Sequence, residues 1–182
     1  LFAVGISLQM IANIGAPPWD VFHQGVSKQT EISIGKVIVM TGFILLLLWI
    51  PLKQKPGLGT ILNALEIGLV ADLALAIIPE PNNIFIRVVM AALGIVIVAV
   101  GTGFYIGSAL GPGPRDGLMT GLAKRGIPIR IGRTAIEVTV LIVGLVLGGQ
   151  VGVATFAFAF GVGPLVHFFL PRLAISSGNA QP

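Results

Sequence analysis

Two acidic residues, Asp20 and Asp116, each close a proline-rich turn, in Gly15-Ala16-Pro17-Pro18-Trp19-Asp20 and Gly111-Pro112-Gly113-Pro114-Arg115-Asp116. Proline is tolerated in the first turn of a helix and Asp accepts the orphan backbone N–H groups there, so each hexapeptide predicts a short helix. The expected bounds are about Trp19 to Gln29 and Arg115 to Arg125. The N-terminus of such a helix offers free donors and the positive end of its dipole, which suits an anion or a polar solute. Trp19 and Arg115 hold equivalent places in the two copies and add an aromatic face and a cation to this candidate binding set. Gln9 and Asn13, four residues apart on one helical face, extend it with a polar stripe, and Tyr105 takes the Gln9 place before the second copy. Plainer roles exist for each residue. The Asp residues can cap helices lying in the membrane interface, Trp19 can belong to an aromatic belt, Arg115 can fix topology, and Gln9 and Asn13 can bond between helices.

A second set, Glu66, Asp72, Glu137 and His167, lies inside long apolar runs. Insertion of a charge at the bilayer centre costs about 2.5–3.5 kcal/mol, so such groups face a bundle interior and often line a solute or proton path. Asp72 and His167 correspond under a shift of 95 residues, and an Asp–His pair exchanges protons near neutral pH. These four are the candidate proton-coupling residues; simple hydrogen bonding between helices, or a His167 reaching the interface, is the alternative.

The elements that must carry these residues follow from the apolar runs Leu1–Ile14, Ile34–Leu52, Leu58–Pro79, Ile84–Ala109, Ile131–Gly148 and Val151–Leu170. About 20 apolar residues cross a bilayer, and the first run, which opens at Leu1 with no basic flank, reads as the end of a longer span. A shift of 96 residues superposes the two Pro-x-Asp turns, Gly5 on Gly101, Gly25 on Gly121 and Lys28 on Lys124. A shift of 95 superposes Thr60 on Thr155 and Gly68 on Gly163. The expected fold is therefore an all-α membrane protein with six transmembrane helices in two three-helix repeats, each with a short helix, re-entrant or interfacial, after its first span. The chain is one polytopic domain over residues 1–182, with repeat 1 at about 1–79, repeat 2 at about 84–172 and a polar tail at 173–182. Close helix contacts are expected at Gly103, Gly107 and Gly111 and at Gly144 and Gly148.

Lysine and arginine set the orientation. Lys53, Lys55, Arg115, Lys124, Arg125, Arg130, Arg133 and Arg172 share one face, against Lys28, Lys36 and Arg87 on the other. The richer face is expected to be cytoplasmic, with both chain ends inside. An odd number of spans per repeat then turns the second repeat upside down, the inverted plan of many secondary transporters.

With 55% hydrophobic and only 10% charged residues, and a mean hydropathy of +0.99, a soluble domain is excluded. Basic residues lie in short loops without interleaved aromatics, so nucleic acid is no expected partner. There is no cysteine, the two histidines are 144 residues apart, and P-loop, GxSxG and HExxH motifs are absent. Neither enzymatic activity nor a metal or cofactor is expected; catalysis by the intramembrane carboxylates is the one enzymatic alternative.

Ala16-Pro17-Pro18-Trp19-Asp20-Val21-Phe22-His23-Gln24-Gly25, followed by Ser33-Ile34-Gly35-Lys36 and Pro56-Gly57-Leu58-Gly59-Thr60-Ile61-Leu62-Asn63-Ala64, resembles the YczE/YitT-type group of bacterial integral membrane proteins. That resemblance covers nearly the whole chain and implies a polytopic fold in the bacterial inner membrane. It assigns no substrate. The expectation from the residues is a transporter or channel for a small polar or anionic solute, with a proton-coupled variant; the alternative is a non-transporting scaffold or accessory subunit.

Overall fold

Prolines, glycines and apolar runs set the helix boundaries in the computed structural model, which describes residues 1–107 and 110–173. Beyond Leu173, the polar tail expected at 173–182 lies outside the described residues. Among those described there are eight helices: α1 (Phe2–Ala12), α2 (Pro18–Thr30), α3 (Ile34–Leu52), α4 (Leu58–Ile77), α5 (Ile84–Gly107), α6 (Pro114–Ala123), α7 (Ile129–Val146) and α8 (Val153–Leu173). The short helices α2 and α6 begin with Pro18 and Pro114 in the first turn, where the missing N–H costs nothing, and carry Asp20 and Asp116 there. Asn13, Glu31 and Lys53 end α1, α2 and α3 in the left-handed conformation that turns the chain out of a helix.

Four helices, α3, α4, α5 and α8, are long and apolar enough to cross a membrane. Their outer surfaces carry large exposed side chains such as Leu69, Phe85 and Phe160. Apolar faces of that extent need a lipid solvent, and the molecule is a membrane protein. Two of the six expected spans stand apart from these four. Helix α1 has 11 residues, and α7, with 18, carries Arg130, Arg133 and Glu137.

The positions that recur in the sequence reappear as contacts between its halves. The N–H of Gly59 at the start of α4 donates to the Leu110 carbonyl ahead of α6 (3.0 Å), while that of Ala154 at the start of α8 donates to the Ile14 carbonyl ahead of α2 (3.1 Å). Gly57 N–H donates to Thr60 Oγ1 at 3.1 Å, and Gly152 N–H to Thr155 Oγ1 at 3.2 Å. Gly15 and Gly111, each at the head of its turn, have φ of 115° and 111°, a conformation that favours glycine. Each final helix thus holds the turn that aims the other half's short helix.

The far ends of α2 and α6 are tied in the same crossed way. Lys28 and Gln29 donate to the Gly148 and Leu147 carbonyls at the end of α7 (2.7 and 3.1 Å). In the other half Arg125 donates to the Pro51 carbonyl of α3, and Lys124 to Gln54 Oε1 at 3.3 Å. Lys28 and Arg125 thereby satisfy carbonyls at the C-terminal ends of α7 and α3 and complement the negative ends of those helix dipoles.

Packing around the two short helices differs in two places. Helix α3 packs closely on α4, whereas its counterpart α7 leans on α2 and has little contact with α8, which packs on α5. Trp49 of α3 fills the space beside Gly117, and its indole N–H donates to the Pro114 carbonyl (3.0 Å). On the other side Gly144 of α7 lets the backbone at Val21 and Phe22 approach. Of the glycine stripes expected, Gly144 and Gly103 make close helix contacts, while Gly111 and Gly148 fall outside helices in turns with positive φ.

Candidate functional site

The starts of α2 and α6 meet over a cavity of about 370 Å³. Its walls come from both halves and are mostly apolar, with Ile6, Leu45, Ile67, Val98, Met119 and Phe158 among them. Charge is concentrated in a few residues: Asp20, Arg115, Asp116, Arg133 and Glu137, with His167 nearby on the wall.

Asp20 is fully buried, yet its carboxylate does not cap α2. Instead Oδ1 lies 3.2 Å from Nδ1 of His23, one turn on, and 3.9 Å from Nη2 of Arg115. The second oxygen, Oδ2, has no hydrogen-bond partner among the described residues, nor has Nε2 of His23. With its proton on Nδ1, His23 donates to Asp20 and turns a bare acceptor, Nε2, to its surroundings.

Arg115 crosses from the second half to the first, with its guanidinium 4.9 Å from the centre of the Trp19 ring. Trp19 and Arg115, each the residue before the Asp of its Pro-x-Asp turn, are thus in contact. All residues from Pro18 to Gly25 except Phe22 are buried, so the first two turns of α2 have protein on every side, unlike a helix lying on a surface.

Of the binding residues read from the sequence, Trp19, Asp20, Arg115 and Asp116 come together at the cavity. Asn13 lies at the end of α1, where its side chain donates to Glu80, and it does not line the cavity. Gln9 is buried and bonded to the Gly5 carbonyl of its own helix, with Oε1 unpartnered.

The acid–base set divides as well. Glu137, paired with Arg133 at 2.9 Å, and His167 line the cavity. Asp72 accepts from the Gly35 N–H (2.6 Å) and the Ser33 hydroxyl (2.7 Å), holding the first turn of α3 to α4. That is the placement of a helix-capping carboxylate. Glu66 points outward from α4 among the exposed Leu62, Leu65 and Leu69.

Sequence reasoning did not single out His23 or Arg133. The i, i+3 spacing of Asp20 and His23 was a readable signal, because α2 places such residues on one face. Arg133 and Glu137 carried the same kind of signal at i, i+4 on α7.

An all-helical membrane protein whose two short helices meet over a shared, charged cavity is the class that fold and site define. Within it, the chain belongs to the family described as "Family of unknown function (DUF6198)", which matches residues 1–171. It is 37% identical to an "Uncharacterized protein" of Haemophilus influenzae over 96% of this chain and 80% of that one. Identity to the "Uncharacterized membrane protein YczE" of Bacillus subtilis is 29%, over 94% of this chain and 81% of the relative. The "Uncharacterized protein YyaS" of the same organism is 27% identical, over 94% and 88%. These relatives agree with the YczE-type resemblance of the Pro-x-Asp region. No solved structure matches the chain.

Proposed function

We propose that this protein moves a small polar solute across the bacterial inner membrane, with α2 and α6 as half-helices entering from opposite sides. In this reading α1 and α7 also cross, giving six spans in two inverted repeats with both termini cytoplasmic. The crossed contacts between halves support it, as does the excess of Lys and Arg on one face.

One observation carries the proposal: a partly open cavity of about 370 Å³ into which the two short helices deliver Asp20 and Arg115. Ligand sites of this size with a few convergent charges between apolar walls are typical of small-molecule binding. The weak α7–α8 contact, set against the close α3–α4 contact, supports a gate in which the two halves exchange packing. Of the acid–base candidates, Glu137 and His167 line the cavity and are the ones retained for proton coupling.

Thiol labelling separates this reading from a scaffold role, because the chain has no cysteine of its own. Asp116→Cys and Glu137→Cys should react with a membrane-impermeant maleimide in cells, while Leu69→Cys on the lipid face stays protected. Protection of the two cavity positions together would leave the scaffold reading standing and remove the transport one.

A further inference from the structure

We infer that the solute is a small amphipathic organic cation, an ammonium or guanidinium on an apolar body, and that Arg115 holds its place beside Asp20 and Trp19 between solutes. The inference rests on the transport reading for the passage of the solute, while the binding site stands on its own geometry.

Charge is the first ground. Three carboxylates line the cavity, Asp20, Asp116 and Glu137, against two guanidinium groups, Arg115 and Arg133. Both cations are already engaged, Arg115 by Asp20 and Arg133 by Glu137. Asp116 is left without an ion-pair contact among the described residues. An entering anion would meet more carboxylates than guanidinium groups, both guanidinium groups being engaged, whereas an entering cation meets Asp116 without an ion-pair contact among the described residues.

Unfilled hydrogen-bonding capacity is the second. Asp20 is fully buried and lines the cavity, and its Oδ2 accepts from nothing. A buried carboxylate oxygen without a donor carries a large desolvation penalty, so the site is short of a donor or a positive charge. His23, the neighbour of Asp20 on α2, supplies one donor and leaves only an acceptor behind it. What the pair lacks is a group that donates.

Arg115 fills this lack poorly. A well-formed guanidinium–carboxylate contact is about 2.7–2.9 Å and often bidentate, whereas here one nitrogen stands 3.9 Å from one oxygen. Its guanidinium nevertheless lies over the Trp19 ring, the place where a solute cation would gain most from an aromatic face. Arg115 also has somewhere to go, because Asp116 adjoins it in sequence and Glu137 lies within electrostatic reach. An entering ammonium takes the Asp20 and Trp19 contacts, Arg115 turns to Asp116, and the apolar walls receive the rest of the solute.

Three probes of similar size and different charge test this on the purified full chain in lipid nanodiscs: benzylammonium, benzyl alcohol and benzenesulfonate, by isothermal titration. The ammonium should bind saturably, and the other two at least about tenfold more weakly. Asp20→Asn should weaken ammonium binding by about tenfold or more. Arg115→Gln should tighten it severalfold by removing the tethered competitor, an effect that a structural arginine would not give. Preference for the sulfonate, absence of saturable binding by the ammonium, or weaker binding in a folded Arg115→Gln variant overturns the inference; the three-probe comparison needs no variant. Uptake into proteoliposomes is read separately. Ammonium binding without uptake would defeat the transport reading and leave the site, and sulfonate uptake would do the opposite.

Discussion

Removing one hydroxyl, in Thr60→Val, tests the crossed hold that aims the second short helix. Thr60 is fully buried, its Oγ1 accepts from the Gly57 N–H at 3.1 Å, and its hydroxyl donates to the Pro112 carbonyl at 2.6 Å. Valine keeps the shape and deletes both bonds. Each bond is worth about 0.5–1.5 kcal/mol net, and leaving the buried N–H and C=O unpaired raises the total loss to about 2–4 kcal/mol. The equivalent Thr155 holds one such bond, from the Gly152 N–H at 3.2 Å, so Thr155→Val should cost about 1–2 kcal/mol. Unfolding in mixed micelles, followed by helical circular dichroism, measures both, and the double variant should lose their sum to within about 0.5 kcal/mol because the sites share no partner. A Thr60→Val loss below about 0.5 kcal/mol, or a larger loss at Thr155, would refute the reasoning from the two hydroxyls.

Two further outcomes follow from the packing. Asp72→Ala should lower stability by about 1–3 kcal/mol through loss of the charge-assisted bonds to Gly35 and Ser33. It should leave uptake per folded molecule unchanged; loss of uptake at parental stability would return Asp72 to the proton path. In Gly117→Val the new side chain meets the Trp49 ring, which already occupies the place where a Cβ would sit. The expected overpacking penalty is about 1–3 kcal/mol, and a shift in tryptophan emission with the same unfolding assay checks it.

Local signals carried most of the helix boundaries. The run Ile34–Leu52 became α3 without change, and the prolines before Asp20 and Asp116 opened α2 and α6 as their missing N–H groups require. Span count was less legible, because Arg130, Arg133 and Glu137 make α7 too polar to qualify by composition, although the i, i+4 spacing of Arg133 and Glu137 pairs part of that charge in the helix. Asp72 shows a second limit. Its equivalence to His167 under the repeat was readable, but equivalence is not proximity: His167 faces the cavity, whereas Asp72 is spent on the start of α3. The charge balance of the site was hidden for the same reason, since nothing in the spacing of Asp20 and Arg115 says that one half's cation reaches the other half's acid.

The crossed grip of each final helix on the other half's turn is the contact pattern of an isologous dimer, written into a single chain. Two identical subunits around a two-fold axis can place only like against like where the axis passes, tryptophan on tryptophan or arginine on arginine. A single chain carries no such restriction. At the Trp19–Arg115 contact this chain sets a cation on an aromatic ring, a pairing that two identical subunits could not place on their axis.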